Sequence, residues 1–167
     1  MVDQIDIMIR LATEADLPDL EWDGEYRHFR RLYRQAMRDA RRGNRALLVA
    51  EIEGQIVGQL FVQYNLIRSD LINEAHSAYL HAFRVRPAYR NLRVGTRLMQ
   101  TAETHLIDRG YRRALIAVAQ DNPDARRLYE RLGYRFYAED PGVWSYIDDQ
   151  GRMKHVREPA FILEKYF

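Results

Sequence analysis

Two short runs hold the side chains whose types and spacing could do chemistry. In RNLRVGT, residues 90–96, two arginines, an asparagine and one glycine separate a stretch ending FRVRP from TRLMQTAETHLIDRG, which has helical spacing. A strand, a basic turn and a helix start can hold an anion, because the first N–H groups of a helix are unpaired and its dipole is positive there. Arg90 and Arg93 add forked donors, and Gly95 permits close approach to the main chain. A plain basic loop capping a helix fits the same residues. The second run is DNPDARRLYERLGYR, 121–135. Asn122 is placed to cap a helix that Pro123 opens, and Leu128 and Leu132 fall on one face. Tyr129 is either a further core ring of that helix or a phenol available for proton transfer; the spacing allows both.

The elements that must position these runs follow from pattern. Residues 5–11 alternate as a strand, and Thr13 caps a short helix with Asp16 at its third position. A helix over 25–42 carries the stripe Tyr26, Phe29, Tyr33, Ala36, Met37 and Ala40, and stops at Gly43. Residues 45–52 and 55–64 form a hairpin about Glu53-Gly54. A polar connection leads to a strand at about 77–85, and the helix after RNLRVG ends at Gly110. ALIAVA, 114–119, reads as a strand buried on both faces. The second helix closes at Gly133, YRFYA is a strand, a hairpin over about 143–157 turns at Asp149–Gly151, and a last strand covers about 160–166. Helices interleaved with strands predict a mixed α/β sheet covered by helices, in one domain spanning 1–167.

Composition narrows the classes of function. The 167 residues are 47% hydrophobic and 30% charged, as in a folded domain. The chain has no cysteine, which excludes disulfides, thiolate catalysis and cysteine-ligated metals; no metal is expected. A net charge of +2 from 26 basic and 24 acidic groups does not point to nucleic acid. No secretory signal or membrane-spanning run stands out, so a cytoplasmic protein without membrane attachment, monomer or homodimer, is expected.

Together the two runs resemble the GNAT acyltransferase superfamily. V-x-P-x-Y-R-x-x-(G)-V-G-x-x-L is met by Val85, Pro87, Tyr89, Arg90, Val94, Gly95 and Leu98, with Arg93 where the family has its first glycine. N-x-x-A-x-x-L-Y-x-R-x-G-Y is met by Asn122, Ala125, Leu128, Tyr129, Arg131, Gly133 and Tyr134. The resemblance covers roughly 5–138 and the final strand. It implies a central mixed, largely antiparallel sheet with one splayed strand pair and helices on both faces. It also implies acetyl-CoA as co-substrate, its pyrophosphate held by Arg90, Asn91, Leu92, Arg93, Val94, Gly95 and Thr96. The pantetheine arm would run past main-chain groups of Phe83 and Val85, with Asn122 and Tyr129 alongside and the Phe83 N–H as an oxyanion donor. An arginine at position 93 is expected to keep a negative φ, because positive φ costs a residue with a Cβ about 1 kcal/mol or more.

The implied reaction is acetyl transfer to an amine by direct attack in a ternary complex. Tyr129 matches the family's general acid, a phenol of pKa ~10 facing a thiol of ~8.5. On SAYLHAFRV the period of two puts Tyr79, His81, Phe83 and Val85 on one face, unless a bulge intervenes. His81 resembles the histidine of arylalkylamine N-acetyltransferases and is the candidate base, against the plainer reading of a histidine packed on the sheet. Tyr79 falls where some relatives keep a glutamate base; His76 and His28 are outside candidates. For the acceptor, DLEWDGEYRHF sets Asp19, Glu21, Asp23 and Glu25 beside Trp22 and Tyr26, which suits a cationic amine or is simply an acidic linker. Trp22, Glu25, Tyr26 and Tyr79 are the acceptor candidates. The acceptor itself is a small-molecule amine or, alternatively, a peptide N-terminus or lysine; a coenzyme A-binding module without turnover is the non-enzymatic alternative. The basic face of the 25–42 helix (Arg27, Arg30, Arg31, Arg34, Arg38, Arg41, Arg42) reads as a solvated surface or as an attractor of acidic partners.

Overall fold

The computed structural model describes residues 5–64 and 76–167. Strand β1 (Met8–Leu11) pairs antiparallel with β2 (Arg45–Ile52), and β2 turns into β3 (Gln55–Tyr64) through Glu53 and Gly54. Both turn residues have positive φ, 50° and 80°, as a two-residue hairpin with right-handed strand twist requires. The other strands are β4 (Ser77–Val85), β5 (Arg113–Ala119), β6 (Arg135–Asp140), β7 (Val143–Ile147), β8 (Met153–Arg157) and β9 (Ala160–Tyr166). The α-helices are α1 (Arg30–Arg41), α2 (Val94–Asp108) and α3 (Pro123–Arg131). Seven strands form one sheet in the order β1-β2-β3-β4-β5-β9-β6, and β7 and β8 pair apart from it. Among the described residues only β4 and β5 are parallel neighbours in that sheet, and α2 supplies the crossover that a parallel pair needs. This is the mixed, largely antiparallel sheet expected from the sequence.

Strand β2 shows why both faces carry helices. Leu48 and Ala50 pack with Leu98, Met99, Ala102 and Leu106 of α2, while Leu47 and Val49 pack with Tyr33, Ala36 and Met37 of α1. Neighbouring side chains point to opposite faces, so a run that is apolar throughout needs cover on both. Gly58 of β3 lets α2 settle close at its first turn: a Cβ there would lie 3.2 Å from Val94 Cγ1 and from Leu98 Cδ1.

Three expectations change. The first strand is shorter than 5–11. The helix expected from residue 25 begins at Arg30; the chain before it runs in 3-10 turns, Glu14–Gly24 and Arg27–Phe29. Trp22 and Asp23 turn left-handed (φ 47° and 58°), which buries the Trp22 indole edge-on to Tyr26 at 5.1 Å. Burial of the largest side chain prevails there over a continuous helix. The polar connection before β4 falls at residues 65–75, outside the described residues.

The entry to the first 3-10 segment is pinned by charge. Asp16 accepts the Thr13 N–H at 2.7 Å and two Arg10 N–H groups at 2.7 and 2.9 Å. Those bonds from Arg10 hold the buried carboxyl down at about 2. The folded-state value lies below the unfolded 3.8, so the stabilisation is complete above that pH and is lost as pH falls toward 2. Asp16→Asn is expected to cost about 2 kcal/mol at pH 7 and progressively less below pH ~4, read from urea midpoints at several pH values.

Candidate functional site

Strands β4 and β5 hydrogen-bond only over Ser77–Leu80 and Arg113–Ile116. Beyond that point Ala117, Val118 and Ala119 pair with β9 alone, and Arg84 and Val85 with β3 alone. The pair therefore opens as a wedge. Its closed end is fastened by the buried Arg113, which bonds Ser77 Oγ and Glu164 Oε2, each at 3.0 Å. Its opening begins where β4 holds one extra residue: Phe61 faces His81 but Gln59 faces Arg84, and Ala82 sits at φ 53°. The buried Gln59 amide donates to the Ala82 carbonyl at 3.2 Å, occupying an acceptor that the bulge removes from the ladder.

The bulge reverses the expected face. Phe83 and Val85 join the α2 side of the sheet, while Tyr79 and His81 stay on the other, their rings stacked at 5.6 Å. Arg84 therefore turns toward α1, where its Nη1 donates to Tyr33 Oη at 3.0 Å. The arrangement of Tyr79, His81, Phe83 and Val85 on a single face is thus corrected: one inserted residue shifts the parity of every side chain after it.

A cleft of about 1600 Å3 runs along this wedge. At one end Arg90, Asn91, Arg93, Val94, Gly95 and Thr96 line it; Leu92 does not, packing instead against the main core. The first bond of α2 joins the Arg97 N–H to the Arg93 carbonyl at 3.0 Å, so the N–H groups of Val94, Gly95 and Thr96 precede the helical ladder. Arg93 adopts φ 66°, ψ 14°, against the negative φ expected. The physical reason is the turn: Asn91 and Arg93 both reverse into the left-handed region (φ 62° and 66°), and Val94 is thereby fully buried beneath the helix start. The Arg93 side chain is exposed and leaves the cleft open. Gly95 has a reason the sequence did not show, since a Cβ there would meet Phe83 Cζ at 2.9 Å. The Arg90 Nε donates to the Val85 carbonyl at 3.1 Å, fixing the turn to the end of β4.

In the middle of the cleft lie Phe83, Val85, Asn122 and Tyr129. Asn122 caps α3, its Oδ1 accepting the Ala125 N–H at 3.2 Å. The Tyr129 ring faces Phe83 at 6.0 Å and Tyr134 at 6.4 Å, and Tyr134 in turn donates to Glu103 Oε1 at 3.1 Å. Burial, with a smaller contribution from Tyr79, raises the Tyr129 phenol well above its ordinary value. It keeps its proton at any physiological pH and is a weaker acid than the matched phenol and thiol expected from sequence.

The far end is aromatic and positive. Tyr26, His28, Phe29 and Arg84 line it, and Trp144 and Tyr146 of β7 close on Phe29 at 6.2 and 5.1 Å. Among the acceptor candidates only Tyr26 lines the cleft: Trp22 is buried behind it, Glu25 is exposed elsewhere, and Tyr79 packs toward Leu115 and Ile162. The carboxylates are diverted, Glu21 to Arg30 at 2.8 Å and Asp23 to Arg86 at 3.5 Å. His81 does not line the cleft. Its Nε2 lies 2.8 Å from Arg45 Nη1, and since a guanidinium only donates, Nε2 must accept. Burial first, then Arg45 and Arg84, pulls His81 down to about 3, so the ring is neutral with its basic lone pair engaged. His76 lies at the exposed start of β4, off the cleft.

With this geometry in view, comparison with known proteins gives the class. A model of the acetyltransferase (GNAT) family matches residues 10–134. The chain belongs to that family. It is 31% identical over 137 residues to a probable N-acetyltransferase camello of Xenopus tropicalis, covering 77% of this chain and 60% of that protein. The chain thus spans about 60% of the length of that curated relative. Its fold is similar to the ribosomal-protein-S18-alanine N-acetyltransferase of Escherichia coli, with TM-score 0.72, 19% identity and coverage of 96% and 94% of the two chains. It is also similar to the paia N-acetyltransferase of Thermoplasma acidophilum, solved in complex with coenzyme A, with TM-score 0.70, 17% identity and coverage of 98% and 100%. No helix among the described residues is long and apolar enough to cross a membrane.

Two measurements check this geometry. Arg93→Gly removes the left-handed penalty and is expected to leave thermal stability unchanged or raised by up to about 1 kcal/mol, read from urea midpoints. Because the folded-state value of His81 lies below the unfolded 6.5, its contribution to stability is complete above that pH and is lost as pH falls toward 3. His81→Gln is expected to flatten the fall of melting temperature between pH 6.5 and 4; the slope left over belongs to His105, which burial also lowers, and near pH 4 to Glu21 and Asp16, which Arg30 and Arg10 hold down.

Proposed function

We propose that the chain transfers an acetyl group from acetyl-CoA to the primary amine of a small molecule, by direct attack without a covalent enzyme intermediate. The observation that carries this reading is the meeting, in one cleft, of a wedge between parallel strands, a basic helix start with free N–H groups, and a buried phenol. The α2 start and Arg90 and Arg93 suit a pyrophosphate. The main-chain edges of β4 and β5, unpaired with each other beyond Leu80 and Ile116, suit an extended amide-bearing arm, which would complete them as an added strand would.

The amine attacks the thioester carbon, a C–N bond forms and the C–S bond breaks. The Phe83 N–H at the bulge is our candidate for the developing oxyanion. Tyr129 gives its proton to the departing thiolate and is reprotonated, through solvent, by the second proton that the attacking nitrogen sheds as the amide forms. Raised by burial, it cannot serve as the base. His81 is no longer our candidate for that step, because its lone pair is occupied by Arg45. Water, or His28 at the aromatic end, takes the ammonium proton. With no cysteine in the chain, a cysteinyl acyl-enzyme is chemically impossible. A peptide amine is the second reading, since one protein of similar fold is a ribosomal-protein-S18-alanine N-acetyltransferase.

An assay of thiol release over a panel of amines and peptides tests the reading, with acetyl-CoA expected to raise the melting temperature. Tyr129→Phe should lower kcat on the order of a hundredfold while changing acetyl-CoA affinity little. Unchanged turnover would remove Tyr129 as the acid, and no thiol release with any acceptor would leave only a binding module.

A further inference from the structure

We propose that the acceptor carries a carboxylate a few bonds from its amine, as an amino acid does, and that Arg84 is the residue that binds it. The inference rests on the acetyl-transfer reading of the cleft and assigns its acceptor class.

Arg84 lines the aromatic end of the cleft, half-buried, with its guanidinium carbon 4.2 Å over the Tyr26 ring and 5.2 Å over that of Phe29. The rings hold the guanidinium in place without neutralising it. Its one hydrogen bond to a described residue goes to Tyr33 Oη, which leaves most of its five donors unused. Among the described residues no carboxylate lies within ion-pair distance of it. A ligand carboxylate would supply the counter-ion that no described residue provides and would match the guanidinium fork with two oxygens.

The surroundings agree in sign. Two carboxylates of the acidic run that precedes α1, Glu21 and Asp23, are turned to Arg30 and Arg86, and a third, Glu25, is exposed and does not line the cleft. Arg84 and Arg45 both act on His81 from this side of β4, but Arg45 is paired with Asp39 at 3.0 Å, so Arg84 is the cation there without a carboxylate among the described residues. Farther along α1, Arg30, Arg31, Arg34 and Arg38 line a second depression of about 440 Å3 with Asp149; Arg30 is paired with Glu21 there, so the remaining arginines still outnumber the one carboxylate and would draw in an anionic acceptor. Phe83 and Arg84 are consecutive, their Cα atoms ~3.8 Å apart, and they point to opposite faces at the opening of the wedge. Both residues line the same cleft, so an amine beside the Phe83 N–H and an anion at the Arg84 guanidinium would be separated by about the length of the Arg84 side chain.

The test uses matched acceptors: phenylalanine, leucine and tryptophan, each against its decarboxylated amine, with kcat/KM followed by thiol release. At least one pair should favour the carboxylate by about tenfold or more, and Arg84→Met should bring that ratio close to one while Arg84→Lys keeps part of it. Ratios near one in the unaltered protein, or an equal loss for both members in Arg84→Met, would overturn the assignment while leaving acetyl transfer intact. If no acceptor releases thiol, acetyl transfer fails separately, and calorimetric titration of the N-acetyl amino acids with coenzyme A present decides the carboxylate site. Binding that Arg84→Met abolishes and Arg84→Lys partly restores would support it, and no binding to the unaltered protein would end it.

Discussion

A single extra residue in β4 organises the site. The bulge at Ala82 ends the pairing of β4 with β5 and lets the wedge open. It also places consecutive side chains where an unbroken strand could not, with Phe83 against Tyr129 and Arg84 against Tyr26. A regular strand would give Phe83 the same face as His81, and the centre of the cleft would lose its aromatic wall. The cost is a residue at positive φ and a carbonyl removed from its ladder. Gln59 meets the second part of that cost from the neighbouring strand, which accounts for an amide buried in an otherwise apolar segment.

The helix start depends on the same strand. Phe83 fills the space that a Cβ at residue 95 would occupy, so α2 approaches β4 closely only because residue 95 is glycine. Gly58 allows the matching approach on β3, where Val94 and Leu98 descend onto the sheet. The turn that delivers the chain to this position passes through the left-handed region at Asn91 and Arg93. Asparagine tolerates that region well and arginine does not, yet the penalty of about 1 kcal/mol is small beside the ~1.5–3 kcal/mol of burying a side chain such as Val94. Packing therefore sets the backbone of the loop.

What is legible in the sequence is what local chemistry decides. The turn at Glu53-Gly54, the Asn122–Pro123 helix start and the fully apolar β5 can each be read from neighbouring residues. The pairing of two separated motifs is legible as well, because together they specify a family and hence the order of strands. The bulge is not, since Ala82 carries no mark of it and the residue that supports it, Gln59, lies on another strand. Nor is the fate of the acidic run, where Glu21 and Asp23 are claimed by Arg30 and Arg86 from distant segments. His81 illustrates the same limit: its type suits a base, but Arg45, which occupies its lone pair, is 36 positions away.

Charge at the acceptor end follows from these long-range contacts rather than from composition. A chain with a net charge of +2 can still hold a locally uncompensated cation, provided its carboxylates are engaged elsewhere. Here two of the carboxylates nearest the cleft in sequence pair with arginines outside its aromatic end, while Arg84 is held between rings that cannot cancel its charge. Aromatic faces around a side-chain guanidinium present a different surface from aromatic faces around an empty pocket. The first attracts an anion and the second a cation. Tyr26 and Phe29 alone would suit the positively charged amine that the acidic run suggests. With Arg84 already against them, the same rings form the wall of a site for the opposite charge.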